Sequence, residues 1–346
     1  MSTPCLRLTM FFCLALGPAF AQQPAADSRQ MTLDVVVTDK SGKPVPGLEQ
    51  KDFTLLDNKQ PQNILSFAAI AGGAAGPPIE AVVVVDEVNT RFSSVSFARA
   101  QIDKYLLQDG GKLPVPVSVA VLSDSGIALG NAATRDGNAL ATSLDQNKAG
   151  LRAIGRDQGV YGAGDRLGLS LNSLEQLAAY ETPRPGRKLV IWISPGWPIL
   201  TGPQIQLSDK DRKSIFGQVV RISDALRRAQ ITLYSIDPLG TADAGSSRTY
   251  YYEEFVKGVK KENQVQMGNL ALQALAVQSG GRVFNSSNDV TSEIGSAIAD
   301  AKTYYILTFD SLPGDGPNEY HALTVKLDQR GLTPHARTGY YAQPTQ

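Results

Sequence analysis

The chain has 346 residues, 33 Lys+Arg against 33 Asp+Glu, and a formal net charge of zero. That balance excludes the basic excess used to hold nucleic acid or anionic lipid. Both cysteines, Cys5 and Cys13, lie in the first 21 residues, so no disulfide framework is available beyond them.

Residues 1–21 read as an export signal. Arg7 supplies the positive start, Leu8 to Leu16 the apolar segment, and Ala19-Phe20-Ala21 a small-x-small cleavage site. The apolar run is too short to span a bilayer comfortably, and no later stretch is long enough. The protein is therefore expected in the periplasm or outside the cell, with no transmembrane segment. Residues 22–30 are a polar remnant expected to be disordered.

From Met31 to Asp39 the chain alternates, with Leu33, Val35 and Val37 on one side, as a half-buried strand does. Phe53 to Leu56 and Ile64 to Ala69 read as two further strands, joined near Asp57-Asn58. Residues 31–70 thus form a β segment, and the Gly/Ala/Pro stretch Ala71 to Pro78 a linker. The period then changes. Ala81 to Val85 is apolar without a break and runs into Asp86, Glu87, Val88, Asn89 and Thr90, which is the pattern of a strand buried on both faces of a parallel sheet. Ser93 and Ser94 are N-cap candidates for a helix carrying Val95, Ala98, Ile102 and Leu106. A strand follows at Pro116 to Leu122, with Gly126 to Leu129 as a hairpin or edge, then a helix near Asp136 to Gln146. Gly155 to Gly164 reads as a glycine-rich loop, before a helix at Leu169 to Tyr180. The strand Leu189 to Ile193 ends in Ser194-Pro195-Gly196-Trp197-Pro198. Ser208, with Asp211 three residues on, caps a helix whose face is Ile215, Val219, Ile222 and Leu226. A strand at Ile231 to Ile236 stops at Asp237-Pro238. Leu239 to Asn263 is a polar insertion holding Tyr250, Tyr251 and Tyr252. A helix stopped by Gly280-Gly281, a strand at Arg282 to Phe284 and a helix at Asp289 to Ala301 complete residues 79–302 as an α/β unit. Alternation of period two returns at Thr303 to Phe309, Ala322 to Asp328 and His335 to Tyr341. Residues 303–341 should therefore pair with residues 31–70 in one β-sandwich-like domain, leaving 342–346 as a tail.

In this order the segments resemble the von Willebrand factor type A fold, and specifically the secreted VWFA-related proteins of the acidobacterial type. VVVTDKSGKPVPGLEQKDFTLLDNKQPQNILSF, VVVVDEVNT, GRKLVIWISPG, ITLYSIDPLG, LALQALAVQSGGRVFNSSND, YYILTF and HARTGYY carry the resemblance, from about Met31 to Tyr341. It implies a doubly wound, mainly parallel α/β domain beside the smaller β domain. It also implies a divalent-cation site: Asp-x-Ser-x-Ser after the first core strand, then a Thr and an Asp from later loops. Here Asp86 is present and Thr90 replaces the last hydroxyl, but Val88 stands for the first Ser. Gly164, Asp165 and Arg166 stand near the expected Thr, and Pro195 for the later Asp. Three readings follow. Asp86 and Asn89 cap the helix and tie down the turn; or Asp86, Thr90 and Asp165 hold Mg²⁺ with unorthodox ligands; or the turn is a metal-free polar recognition site.

Catalytic patterns are weaker. His321 and His335 lie in the C-terminal β segment, read as surface or strand-edge residues. No HExxH or G-x-S-x-G occurs, and the acids at strand ends, Asp86, Asp124 and Asp237, lack a nucleophile or metal partner. Trp192 reads as core. Trp197, on a loop, reads either as packed or as a contact anchor, and Tyr250 to Tyr252 either as a second anchor in the manner of interface aromatics or as part of a disordered insertion. The expectation is a non-catalytic, exported protein-binding module of the adhesion or assembly kind, without cofactor. Its partner would be an extracytoplasmic protein, met through Asp86, Asn89, Thr90, Asp165, Ser194, Trp197, Tyr250, Tyr251 and Tyr252. A metal-dependent adhesion module and an extracytoplasmic hydrolase are the alternatives.

Overall fold

A computed structural model describes residues 29–72, 76–146, 159–200, 206–240 and 252–344. The expected export signal, residues 155–158 of the glycine-rich stretch, and Tyr250 and Tyr251 lie outside the described residues.

The N-terminal strands are β1 (Gln30–Thr38), β2 (Phe53–Asp57), β3 (Gln60–Gln62) and β4 (Ser66–Ala71). The α/β part then contains β5 (Ile79–Asp86), β6 (Lys112–Ser123), β7 (Gly126–Leu129), β8 (Thr134–Asp136), β9 (Arg187–Ile193), β10 (Ile231–Ile236) and β11 (Val283–Phe284). Among the described residues its helices are α1 (Phe92–Leu106), α2 (Gly137–Gln146), α3 (Gly159–Glu181), α4 (Asp209–Arg228), α5 (Leu272–Gln278) and α6 (Val290–Lys302). The chain closes with β12 (Thr303–Asp310), β13 (Glu319–Leu327), β14 (Thr333–Ala336) and β15 (Gly339–Ala342).

The described residues are mixed α/β, with one largely parallel sheet and two antiparallel ones. The seven-stranded sheet runs β11-β10-β9-β5-β6-β7, with β8 also on β6. Pairings from β11 through to β6 are parallel, while β7 and β8 run against β6. From β5 the chain builds outward through β6 and β7 on one side, and through β9, β10 and β11 on the other. The boundary between β5 and β9 is thus where strand order reverses, the place at which open α/β sheets form a crevice beyond their carboxyl ends. The unbroken valine run of β5 has a direct cause. Val82 and Val84 face a core containing Leu171, Leu174 and Val219, whereas Ala81, Val83 and Val85 face a second core containing Ile102, Ile294 and Ile298. Each buried valine contributes about 1.5–3 kcal/mol relative to exposure, so a polar residue on either side of this strand is costly.

The two antiparallel sheets, β14-β1-β12-β4 and β15-β13-β2-β3, combine both ends of the chain. Leu33, Val35 and Leu307 of one pack with Leu55, Leu323 and Tyr340 of the other.

Several local expectations are corrected. The last segment is two strands, not one: β14 pairs β1 and β15 pairs β13, so the chain changes sheets at Arg337-Thr338. The β2–β3 hairpin turns through Asn58 (φ 48) and Lys59 (φ 70), both in the left-handed region that a two-residue hairpin of this twist requires. Helix α1 starts at Phe92 after Arg91, with no side-chain cap from Ser93 or Ser94. Helix α3 begins at Gly159, so Gly162 and Gly164 are helical instead of loop. His321 is 4% exposed, not at the surface. Its Nδ1 lies 2.9 Å from Asp57 Oδ1, and the Tyr340 hydroxyl donates to Asp57 Oδ2 at 2.6 Å. The other histidine, His335, is held near Thr38 Oγ1 at 3.0 Å; burial and then the Arg282 charge push its pKa down to about 4.

Candidate functional site

Asp86 ends β5 at the switch point, and it is 1% exposed. Its Oδ1 accepts from the backbone N–H of Val88 at 3.0 Å and of Asn89 at 2.8 Å. Its Oδ2 accepts from Asn89 Nδ2 at 2.9 Å and from Trp192 Nε1 at 3.0 Å. An ionised carboxylate offers about four lone-pair sites, so these donors occupy the group. Asn89 extends the network, because its Nδ2 also donates to Ser170 Oγ at 2.8 Å, and that hydroxyl donates to the Arg166 carbonyl at 2.8 Å. The turn after β5 is thereby stapled to β9 and to α3.

The neighbouring acid is engaged as well. Glu87 Oε1 accepts from Arg99 Nε at 3.2 Å and from its terminal nitrogen at 2.7 Å, and the same guanidinium donates to the Leu144 carbonyl at 2.9 Å. Val88 is buried in the core among the α3 and α4 side chains, and Thr90 is 1% exposed. Ser194, at the end of β9, is fully buried; its backbone N–H donates to the Ile236 carbonyl and its Oγ accepts from Gly196 N–H at 3.2 Å. Gly196 has φ 105, and a Cβ there would lie 2.3 Å from Gln273 Nε2, so only glycine allows this return of the chain.

Trp197, on the loop after β9, is packed and is not an exposed contact anchor: it is 1% exposed and lies edge-on against Trp192, with ring centroids 5.2 Å apart. Its Nε1 finds no hydrogen-bond partner among the described residues. Tyr252 is likewise buried, in the 3-10 turn Tyr252–Phe255. Asp165 lies on α3 with an exposed side chain, next to the buried Arg166. The structure therefore brings together Asp86, Asn89 and Thr90 with Trp192 and Ser170. It puts Asp165 on a helix surface and Trp197 in the core.

Three residues escaped the sequence reading. Phe92, in the first turn of α1, is 68% exposed, and Tyr161, in the first turn of α3, is 87% exposed. Both belong to helix starts at the carboxyl end of the sheet. Ser170 touches Asn89, and a helical rise of about 1.5 Å per residue carries Tyr161 roughly 13 Å beyond it. The third, Glu293, is buried in the first turn of α6. Burial, then the charges of Asp237 and Asp289, push its pKa up to about 8. Its spacing from Val290 and Ala297 (three and four residues) puts it on the inward stripe of α6, a signal legible in the sequence.

No protein-family model matches the chain, and no curated protein matches it. Among solved structures, it is similar to a mutant of the PilB minor pilin from Streptococcus sanguinis, at 9% identity over 81% of each chain with a TM-score of 0.37. It is similar to the pilus adhesin SpaC from Lactobacillus rhamnosus GG in its open conformation, at 8% identity over 86% of this chain and 49% of that one, TM-score 0.37. The VWA domain of Rpn10 aligns at 14% identity over 46% of this chain and 74% of that one, TM-score 0.23. At such scores the functional reading rests on this chain's own residues. Among the described residues, no helix is long and apolar enough to cross a membrane.

Proposed function

We propose that the chain is a non-catalytic, exported binding module of the adhesion or assembly kind. It engages an extracytoplasmic protein through the upper face of its parallel sheet, without a metal ion. The observation that carries the reading is the contrast at that face. The polar groups at the end of β5 are consumed by internal donors, whereas Phe92 and Tyr161 stand in solvent. Exposed aromatics at the rim of a buried polar floor supply the large, low-entropy contact area on which protein recognition relies. A cation-dependent version fits the residues poorly. Asp86 would have to surrender its donors before it could bind a hard ion, Val88 has no oxygen on its side chain, and Asp165 lies beside a buried arginine. A hydrolytic role would need Asp86 or Asp237 to exchange protons with substrate; Asp86 has both oxygens occupied, and Asp237 is buried with Oδ1 accepting from the Leu239 N–H at 2.9 Å.

The test is affinity capture from the envelope of the native organism with the purified chain, compared with a Phe92→Ser/Tyr161→Ser variant, each with and without chelator. The expected result is a partner held by the parent, lost by the variant and indifferent to chelator. Undiminished capture by the variant removes this face from the interface, and loss on chelation restores the metal-dependent alternative.

A further inference from the structure

A second region has the makings of a binding site and shares no residue with the upper face. A cavity of about 920 Å³ opens where three parts of the chain meet: the β2–β3 turn, α4 with the segment after residue 257, and the start of β13. This is within the size range of small-ligand sites, which favour such junctions. Phe216 and Tyr320 supply its aromatic wall, and Lys59, Lys260 and Lys261 its charges.

The walls are fixed before any ligand arrives. Tyr341 holds both aromatics, with centroids 5.9 Å from Phe216 and 5.2 Å from Tyr320. The Tyr320 hydroxyl donates to the Thr338 carbonyl at 3.0 Å. The lysine segment is anchored at both ends: Val259 and Val265 are buried, the Val259 carbonyl accepts from the Tyr341 hydroxyl at 3.2 Å, and the Val265 carbonyl accepts from Arg212 at 3.2 Å. At its start the segment lies so close to Tyr320 that a Cβ on Gly258 would fall 1.9 Å from that ring. On the opposite element, Asn58 exchanges hydrogen bonds with Ala322, donating to its carbonyl at 2.8 Å and accepting from its N–H at 3.0 Å. That clamp holds Lys59 in the left-handed region, where glycine is the unstrained choice.

The charges are available. Among the described residues, Lys59, Lys260 and Lys261 form no ion pair. Three ammonium groups stand against two acids in the lining, Glu262 and Glu319, and Glu319 turns one oxygen to the Asp315 N–H at 2.5 Å, so the balance of the lining is positive. No arginine lines the cavity among the described residues, so the forked donors that favour phosphate are missing. Ammonium groups from two separate segments in one cavity with an aromatic wall suit separate carboxylates on an apolar backbone. We propose that this junction cavity binds an acidic peptide segment, its carboxylates on Lys59, Lys260 and Lys261 and an apolar side chain against Phe216 and Tyr320.

The probe is an end-blocked hexapeptide of alternating glutamate and leucine, titrated calorimetrically into the full chain, beside the same peptide with glutamine for glutamate. The expected result is saturable binding of the glutamate peptide that weakens with added salt, and glutamine-peptide binding weaker by about tenfold or more. Lys260→Gln/Lys261→Gln and Lys59→Gly should each cost about tenfold in affinity. Lys59→Gly is the decisive variant, because it relaxes the turn and should raise the melting temperature while it weakens binding. Equal binding of both peptides, no heat with the glutamate peptide, or affinity unchanged in both variants overturns the proposal. So does displacement of the peptide by millimolar inorganic phosphate with equal affinity, which would make the site an anion site of another chemistry.

Discussion

The turn after β5 and the cavity at the β2–β3 turn both gather charged and polar groups, yet they differ in what those groups have left to offer. Asp86 receives donors from its own turn, from Asn89 and from Trp192. Lys59, Lys260 and Lys261 have no ion-pair partner among the described residues. A buried polar group that is satisfied stabilises and orients, and it recognises nothing further; an exposed charge on a rigid segment contributes little to stability and keeps its capacity for a partner. Position in the fold therefore does not by itself identify a recognition site. What a region still presents to solvent does, whether unpaired charge as at the cavity or exposed aromatic surface as at Phe92 and Tyr161.

The largest expected effect breaks the comparison at Asp86. Asp86→Ala leaves the Trp192 indole N–H, one N–H of the Asn89 amide (the other still reaches Ser170) and two backbone N–H groups buried without an acceptor. The loss should be roughly 3–5 kcal/mol of folding stability, read as a shifted midpoint in urea. Lys260→Gln/Lys261→Gln should stay within about 0.5 kcal/mol of the parent, as exposed substitutions do. If the two variants were equally stable, the staple at the end of β5 would not be what holds β5 to β9 and α3.

An intermediate effect comes from Glu293. Its carboxyl titrates near the ordinary 4.5 in the unfolded chain and at about 8 when folded, because burial, Asp237 and Asp289 all disfavour its charge. Between those values the folded state keeps a proton that the unfolded state has released, so this group removes stability as pH rises through that window. Glu293→Gln is neutral throughout. It should match the parent near pH 4 and exceed it above pH 8 by an amount on the order of 2 kcal/mol, measured as urea midpoints across pH. A constant difference at every pH would assign the effect to packing and not to the proton.

Much of the fold was legible because its signals are local. The run Ala81 to Val85 announces a strand buried on both faces, and Ser208 with Asp211 announces the start of α4, where both reciprocal bonds are present. What was not legible depended on partners remote in sequence. The alternation from His335 to Tyr341 looks continuous, yet β14 and β15 belong to different sheets, and only β1 and β13 decide that. The early start of α3 defies its glycines, since tertiary contacts override helix propensity. For the site, the sequence placed Asp86 and Asn89 in one turn, but not the donation from Trp192 across the sheet. A packed Trp197 was one reading of the loop, but that its partner is that same indole was not legible. The junction cavity was invisible for the same reason: its lysines and aromatics come from three distant segments.

The smallest expected effect is the sharpest for the upper face. Ligands that bind only the folded state stabilise it by RT ln(1 + [L]/Kd), so a cation held at a tenth of its working concentration or tighter raises the melting temperature by a measurable amount. With every oxygen of Asp86 already accepting hydrogen bonds, millimolar Mg²⁺ or Mn²⁺ should move the parent's melting temperature by less than about 1 °C. Asp86→Ala should show the same indifference from its lower starting point. A rise of several degrees in the parent that disappears in Asp86→Ala would mean that the turn opens to exchange its own donors for a metal. The division between a consumed site and an available one would then hold only in the absence of the ion.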